Sequence, residues 1–446
     1  MAWTDYYIDQ GVSSLESKGE FGTACAVNAS SVLTPGTAPG WAATGNPLAG
    51  RTLTIAAGTY TIATHNATTI LTWSGGDPAE NATAGAWRLG AGTTSDPWGA
   101  YGSACRAIGA TAGAPTRIYV RGNQTLSAAF SFSSAGTSAY PIYWVGCTGS
   151  GTTWTRIGNV SSTSRPTLTG GANQVDVEGA YNIFEGLSFT SATSTTRGTF
   201  DINVSSVIMV RCWFVNTNAA STSRAVTCQG FKTHLIACYC SATTTADRCV
   251  SDAANALNAF VGNHIVGGDV GIYGNSNHLY AFNIVTGFGT YGIQADDDGF
   301  VFNNTVYGGT GDGIRCRKDG SVIFNNLIKG GGSLTNPINQ SATAKIVSVM
   351  FNAWHSVTND AIGGVIEGED NMGACFANPG LLGTDPLPNA ATANFTPAAS
   401  AYALSHPGQY ENLSQIGYLD VGAVDHADPA GGGGGLLRGN KQGYKQ

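Results

Sequence analysis

Apolar residues recur along the middle of the chain at a spacing far longer than a helical turn. One position per repeat can be marked at Gly186, Cys212, Cys238, Asn263, Asn283, Asn304, Asn326 and Asn352, at intervals of 26, 26, 25, 20, 21, 22 and 26 residues. Two places before the markers stand Phe184, Val210, Ile236, Val261, Ala281, Phe302, Phe324 and Met350. Two places after stand Ser188, Phe214, Cys240, Ile265, Val285, Val306, Ile328 and Trp354, so that all but Ser188 of the flanking set are apolar. Positions just before the markers, including Glu185, Arg211, Gly262, Asn303 and Asn325, are often polar. This period of two predicts a strand with one buried face in every repeat, the flanking residues on both sides of each marker pointing into a shared core.

A repeat of this size cannot bury its own inward side chains, whereas repeats stacked about 4.8 Å apart make one continuous core. The expected fold is therefore all-β: a parallel β-helix solenoid over 126–360, with an N-terminal β-rich cap over 1–125 and an extended C-terminal segment. Asn263, Asn283, Asn304, Asn326 and Asn352 would line up as a structural ladder, since asparagine at a bend satisfies backbone groups. A second ladder recurs at Gly271-Ile272, Gly292-Ile293 and Gly313-Ile314. Neither the leucine-rich pattern nor the longer propeller unit is present.

Residues 1–125 lack the period but carry β-like runs at 52–55, 60–62 and 117–120, and five of the nine tryptophans: Trp3, Trp41, Trp73, Trp87 and Trp98. These suit either the core of a cap over the open end of a solenoid or an aromatic platform for sugars, and the cap is the reading adopted.

Beyond the last repeat come Asn378-Pro379, the run 394–403 with Pro397 and Ser400, and Tyr418 to Val424 with Asp420 and Gly422. This trio resembles the closing segment of right-handed parallel β-helix proteins of the pectate-lyase-like superfamily, including proteins of bacteriophage virions. Ala401 stands where that family usually has proline. The resemblance implies a right-handed solenoid closed by 361–430, and a family that holds lyases, hydrolases and inert fibres alike. After it, five glycines at 431–435 read as a tether, and Leu436, Leu437, Arg438 and Lys441 as candidates for docking on a neighbouring subunit.

Composition narrows the function. Only 11% of residues are charged and 62 are glycine, the usage of turn-dense β structure. A net charge of -7 leaves no basic face for a nucleic-acid backbone. The first residues show no export signal, and no apolar run is long enough to span a membrane. The ten cysteines lack metal-finger spacing and read as reduced packing residues.

Aligning the second ladder places Asn275, Asp296 and Arg317 in one line, Ser276, Asp297 and Lys318 in the next, and Asn277, Asp298 and Asp319 in a third. Lyases and hydrolases of the resembled fold use carboxylates and basic groups in this way, so Asp296, Asp297, Arg317 and Lys318 are the weak catalytic candidates. The competing reading is a set of ordinary turns whose opposite charges relieve each other. The hydrolase signature itself fails: Asn216-Thr217-Asn218 replaces the first acid, and Arg315-Cys316-Arg317 comes too soon. No metal-ligand, nucleophile-elbow or phosphate-loop motif stands in its place, and no cofactor is expected. The resemblance therefore implies a non-enzymatic structural protein of a bacteriophage virion surface, a capsid decoration or a tail spike or fibre. It would be a homotrimer assembled in the host cytoplasm, contacting other virion proteins through a terminal segment. The rival expectations are a polysaccharide lyase or depolymerase and a carbohydrate-binding adhesin.

Overall fold

Each repeat forms one coil of a parallel β-solenoid of about eight turns in the computed structural model of the protein. Described are most of 87–358, with gaps at 99–100, 127, 159–163, 196, 254–256, 319, 332–333, 341–347 and 351. Shorter stretches precede them at 2–9, 21–22, 25–27, 33–35, 50–55, 58–65 and 70–74, and 380–381 follows. The chain divides into two compact units, one comprising Met1–Ile157, Ser162–Gly171 and Val177–Ser188, the other Gly158–Ser161, Ala172–Asp176 and Phe189–Gln446. The catalogue of closing motifs from 378 to 424 falls almost wholly outside the described residues, as do the glycine run and Leu436, Leu437, Arg438 and Lys441.

In the second unit a coil contributes one strand to each of three parallel sheets, as in Ala259–Val261, His264–Val266 and Val270–Ser276, before Leu279–Ala281 begins the next. The strands stack in register, so like residues repeat up each sheet. Met209, Leu235, Phe260, Tyr280, Val301 and Ile323 form one buried column of the first sheet. Phe214, Cys240, Ile265, Val285, Val306, Ile328 and Trp354 form that of the second. In the third, Val226, Val250, Ile272, Ile293, Ile314 and Ile338 do the same. Each buried aliphatic or aromatic side chain contributes roughly 1.5–3 kcal/mol, and this apolar axis is the main source of stability.

These columns correct the sequence reading on one side of the marker. Residues two places after it face inward, but before it the inward residue lies three places away, not two. Val210, Ile236, Val261, Phe302 and Phe324 are outward, Ile236 being 38% exposed and Phe302 stacking on Phe324 at 4.9 Å on the outside of the sheet. The cause is the residue just before the marker. Arg211, Ala237, Gly262, Phe282, Asn303 and Asn325 all have φ between 52° and 68°, a left-handed bend that interrupts the strand and resets its alternation. In the first coil the bend falls on Gly186 (φ 66°) and Phe189 stacks on Phe214, so Leu187 is the true marker there.

The markers are buried. Asn283 Oδ1 accepts both the backbone N–H (3.0 Å) and the side-chain Nδ2–H (2.9 Å) of Asn263. Asn304 does the same for Asn283, Asn326 for Asn304 and Asn352 for Asn326, every distance being 2.9 Å. Each Nδ2 also donates to a first-sheet carbonyl, from Leu235 below Asn263 to Ile323 below Asn352. At Cys238 a thiol takes the amide's place, donating weakly to Met209 O at 3.5 Å. The glycine ladder has a different origin: a Cβ on Gly271 or Gly292 would lie 2.6 Å or 2.5 Å from the carbonyl oxygen of the glycine one coil further on.

Parallel pairing also occurs far earlier in the chain than its periodicity suggests. In the first unit Thr4–Asp9, Thr116–Arg121, Ile142–Thr148 and Asn182–Glu185 form a parallel sheet over a core containing Trp98, Tyr101, Phe132, Trp144 and Phe184. A seven-stranded antiparallel sheet takes up strands between Phe21 and Leu89.

Candidate functional site

The outward face of the third sheet carries the ladder of opposite charges. Ser276 is in register with Asp297, and Ala295 with Cys316, which brings Asp296 and Arg317 onto neighbouring strands. Arg317 Nη1 donates to Asp296 Oδ2 at 3.2 Å, and Lys318 Nζ lies 3.6 Å from Asp297 Oδ2. Asp296 is buried beneath its arginine and also accepts from Tyr273 Oη (3.2 Å) and Gln294 Nε2 (3.0 Å). Its oxygens are thus occupied by three donors from three coils. Asp319 lies outside the described residues.

Further down this face Asp201 shares a column with Thr227, Ser251, Tyr273, Gln294 and Arg315. Burial, opposed by hydrogen bonds from Gln229 Nε2 at 2.9 Å and 3.0 Å, pushes its carboxyl up to about 6. A proton held near neutrality is what a general acid needs, but at 0% exposure this carboxyl meets no substrate. The Arg248 guanidinium lies 3.6 Å from the centre of the Tyr273 ring, and burial lowers its pKa. Among the described residues no group of three or more His, Cys, Asp or Glu side chains could hold a metal ion.

A second polar face lies on the outside of the parallel sheet of the first unit. There Asp5, Arg117 and Tyr143 form one column, Tyr7 and Tyr119 another, and Asp9 and Arg121 a third. Their partners across the sheet alternate inward: Ile8, Ile118, Val120 and Trp144 are buried. Arg117 binds Asp5 through two parallel bonds of 2.9 Å and 3.1 Å and sits 5.3 Å from the Trp3 ring centre. The hydrogen bonds to Asp5 raise the Arg117 pKa, while burial raises those of Tyr7 and Tyr119. Arg156 pairs with Glu185 and the Tyr143 hydroxyl. Arg121 is buried, donating to Asp9 Oδ2 (2.6 Å), Thr153 O (2.9 Å) and Gly151 O (2.6 Å), with Trp154 4.0 Å away.

No protein-family model and no curated protein sequence matches this chain.

The Arg121–Asp9 pair borders a cleft of about 600 Å³, whose other walls are Thr94, Ser95, Pro97, Gly122 and the turn 149–152. Of the N-terminal tryptophans singled out in the sequence, Trp3 is 38% exposed on this face while Trp98 is buried at 1%, its indole N–H donating to Gly90 O at 2.9 Å. Trp41 lies outside the described residues. Tyr7, Tyr119, Tyr143 and Trp154, which complete the face, carry no local motif. Their only sequence signal is a tyrosine or tryptophan two places from an arginine or aspartate within a β-like run, visible at Asp5-Tyr6-Tyr7 and Arg117-Ile118-Tyr119.

Proposed function

We propose that the protein is a non-enzymatic structural component of a bacteriophage virion surface, a capsid decoration or a tail spike or fibre, in which copies of the chain pack side by side. The observation that carries this reading is the outward face of the first sheet in the second unit. Its two columns are Ile208, His234, Ala259, Leu279, Phe300 and Val322, and Val210, Ile236, Val261, Ala281, Phe302 and Phe324. Only His234 is polar, and burial lowers its pKa, which keeps it uncharged at neutral pH. A sheet that faces water on one side carries polar residues there; one that is apolar on both sides belongs in an interior. Six strands about 4.8 Å apart make a strip roughly 24 Å long, and a face without charge meets its own copy without repulsion.

The closing-segment resemblance supports the virion and, with it, three copies as the expected assembly. The charge ladder supports a structural role, because its acids and bases are committed to each other. Sedimentation velocity of the full chain tests the packing. The expected result is an oligomer that Ile236→Asp with Phe302→Asp converts to folded monomers. A wild-type monomer at micromolar concentration would count against the reading, as would absence of the protein from purified particles of the phage that encodes it.

A further inference from the structure

We infer that the cleft beside the Arg121–Asp9 pair, with the aromatic ridge next to it, is a binding site for an uncharged polysaccharide chain. This goes beyond the structural role and does not depend on it.

The cleft has the size of small-molecule sites, which run to several hundred Å³. Its chemistry is that of a polyol partner. Hydroxyls come from Thr94, Ser95, Ser150 and Thr152, and the glycines at 122, 149 and 151 leave peptide groups uncovered by side chains. Pro97 is the one apolar side chain in the wall. Arg121 acts as a positioning residue: by donating to Gly151 O and Thr153 O it pins the turn that forms one wall.

Beside the cleft, five aromatic side chains continue the surface. Trp154 lies 5.0 Å from Tyr7, Tyr7 stacks on Tyr119 at 5.1 Å, and Trp3 lies 6.4 Å from Tyr143. Aromatic rings with one polar edge serve surfaces that are wet on one side and apolar on the other, as pyranose rings are. They do not belong to the core that covers the sheet's inner face, which is built from other rings.

Charge selects the class of sugar. The three arginines of the face, Arg117, Arg121 and Arg156, are each matched by a carboxylate, Asp5, Asp9 and Glu185. The sum is zero. An acidic sugar would have to compete with a carboxylate already in place, at the cost of leaving that carboxylate unpaired. A neutral hydroxyl can accept from the arginine edge and donate to the carboxylate edge without breaking either pair.

The test is affinity electrophoresis of the full chain in gels containing dextran, galactomannan or xyloglucan, with alginate as the acidic counterpart. At least one neutral polymer is expected to retard the protein. Thr152→Trp, which fills the cleft from an exposed position, should weaken that retardation by about tenfold or more, and Trp3→Ala by several-fold. Both variants should keep the wild-type melting temperature. Retardation by alginate alone, no retardation by any neutral polymer, or retardation that both variants leave intact would each overturn the assignment.

Discussion

Asp201 is the residue whose surroundings have the clearest thermodynamic consequence. Its carboxyl titrates near 3.8 when free and is pushed up to about 6 in the folded chain, chiefly by burial. The folded state therefore holds this proton more tightly than the unfolded state does. The stabilisation that follows is complete below the free value, and is lost as pH rises through about 6. A shift of this size corresponds to roughly 3 kcal/mol between the two ends of the window. Asp201→Asn keeps the shape and removes the titration. In urea unfolding at a series of pH values, the stability of the variant relative to wild type should rise between pH 4 and pH 7 by about that amount. A difference that stays flat across the series would mean that Asp201 does not carry the effect.

At the scale of the element, the coil is held by two devices: the apolar columns and the buried asparagine ladder. Asn304 shows what the ladder contributes. Its Oδ1 takes two donors of Asn283, and its Nδ2 reaches Asn326 Oδ1 and the carbonyl of Tyr280. Asn304→Ala would leave the Asn283 N–H without its acceptor and break the side-chain bonds to Asn326 and Tyr280, while Asn326 Oδ1 keeps the backbone N–H of residue 304. At roughly 1–3 kcal/mol for the one buried group left unpaired and about 0.5–1 kcal/mol for each further bond lost, a loss of about 2–4 kcal/mol is expected by chemical denaturation. A loss below about 1 kcal/mol would show that water or a shifted neighbour replaces the amide. The repeat and its register were legible in the sequence because asparagine recurs at the same bend and few other residues serve there. The inward side of the preceding strand was not. The bend residue that resets the alternation is Arg211, Ala237 or Phe282 as readily as Gly262 or Asn303, so no glycine announces it. The early parallel strand was hidden for another reason: Thr4 pairs with Thr116, and no local period links partners so far apart. The aromatic face was half visible, since a tryptophan stands out in composition but tyrosines on alternate strand positions do not.

For the whole molecule, the cysteines report on how tightly the interior is closed. The eight cysteines whose side chains are described carry free, buried thiols: Cys105, Cys147, Cys212, Cys228, Cys238, Cys240, Cys249 and Cys316. Burial pushes Cys105 up to about 11 and Cys147, Cys249 and Cys316 to about 12, and raises Cys228, Cys238 and Cys240 well above their usual range. At pH 8 the nucleophilic thiolate of these seven is nearly absent. With Cys25 and Cys375 replaced by serine, the native chain should stay unlabelled by a thiol reagent over minutes, and urea should expose all eight. Labelling at the native rate of a free thiol would reveal openings that the close packing does not allow.

The in-register stacking has a further consequence, for length. Asn263 and Asn283 make the same bonds to their neighbours, and each follows a left-handed residue, Gly262 and Phe282. Joining Gly262 directly to Asn283 would remove one coil and leave every surviving column with a partner of the same kind. A chain built this way can grow or shorten by whole turns through duplication or loss of a short gene segment, so its reach is free to change while its cross-section stays constant.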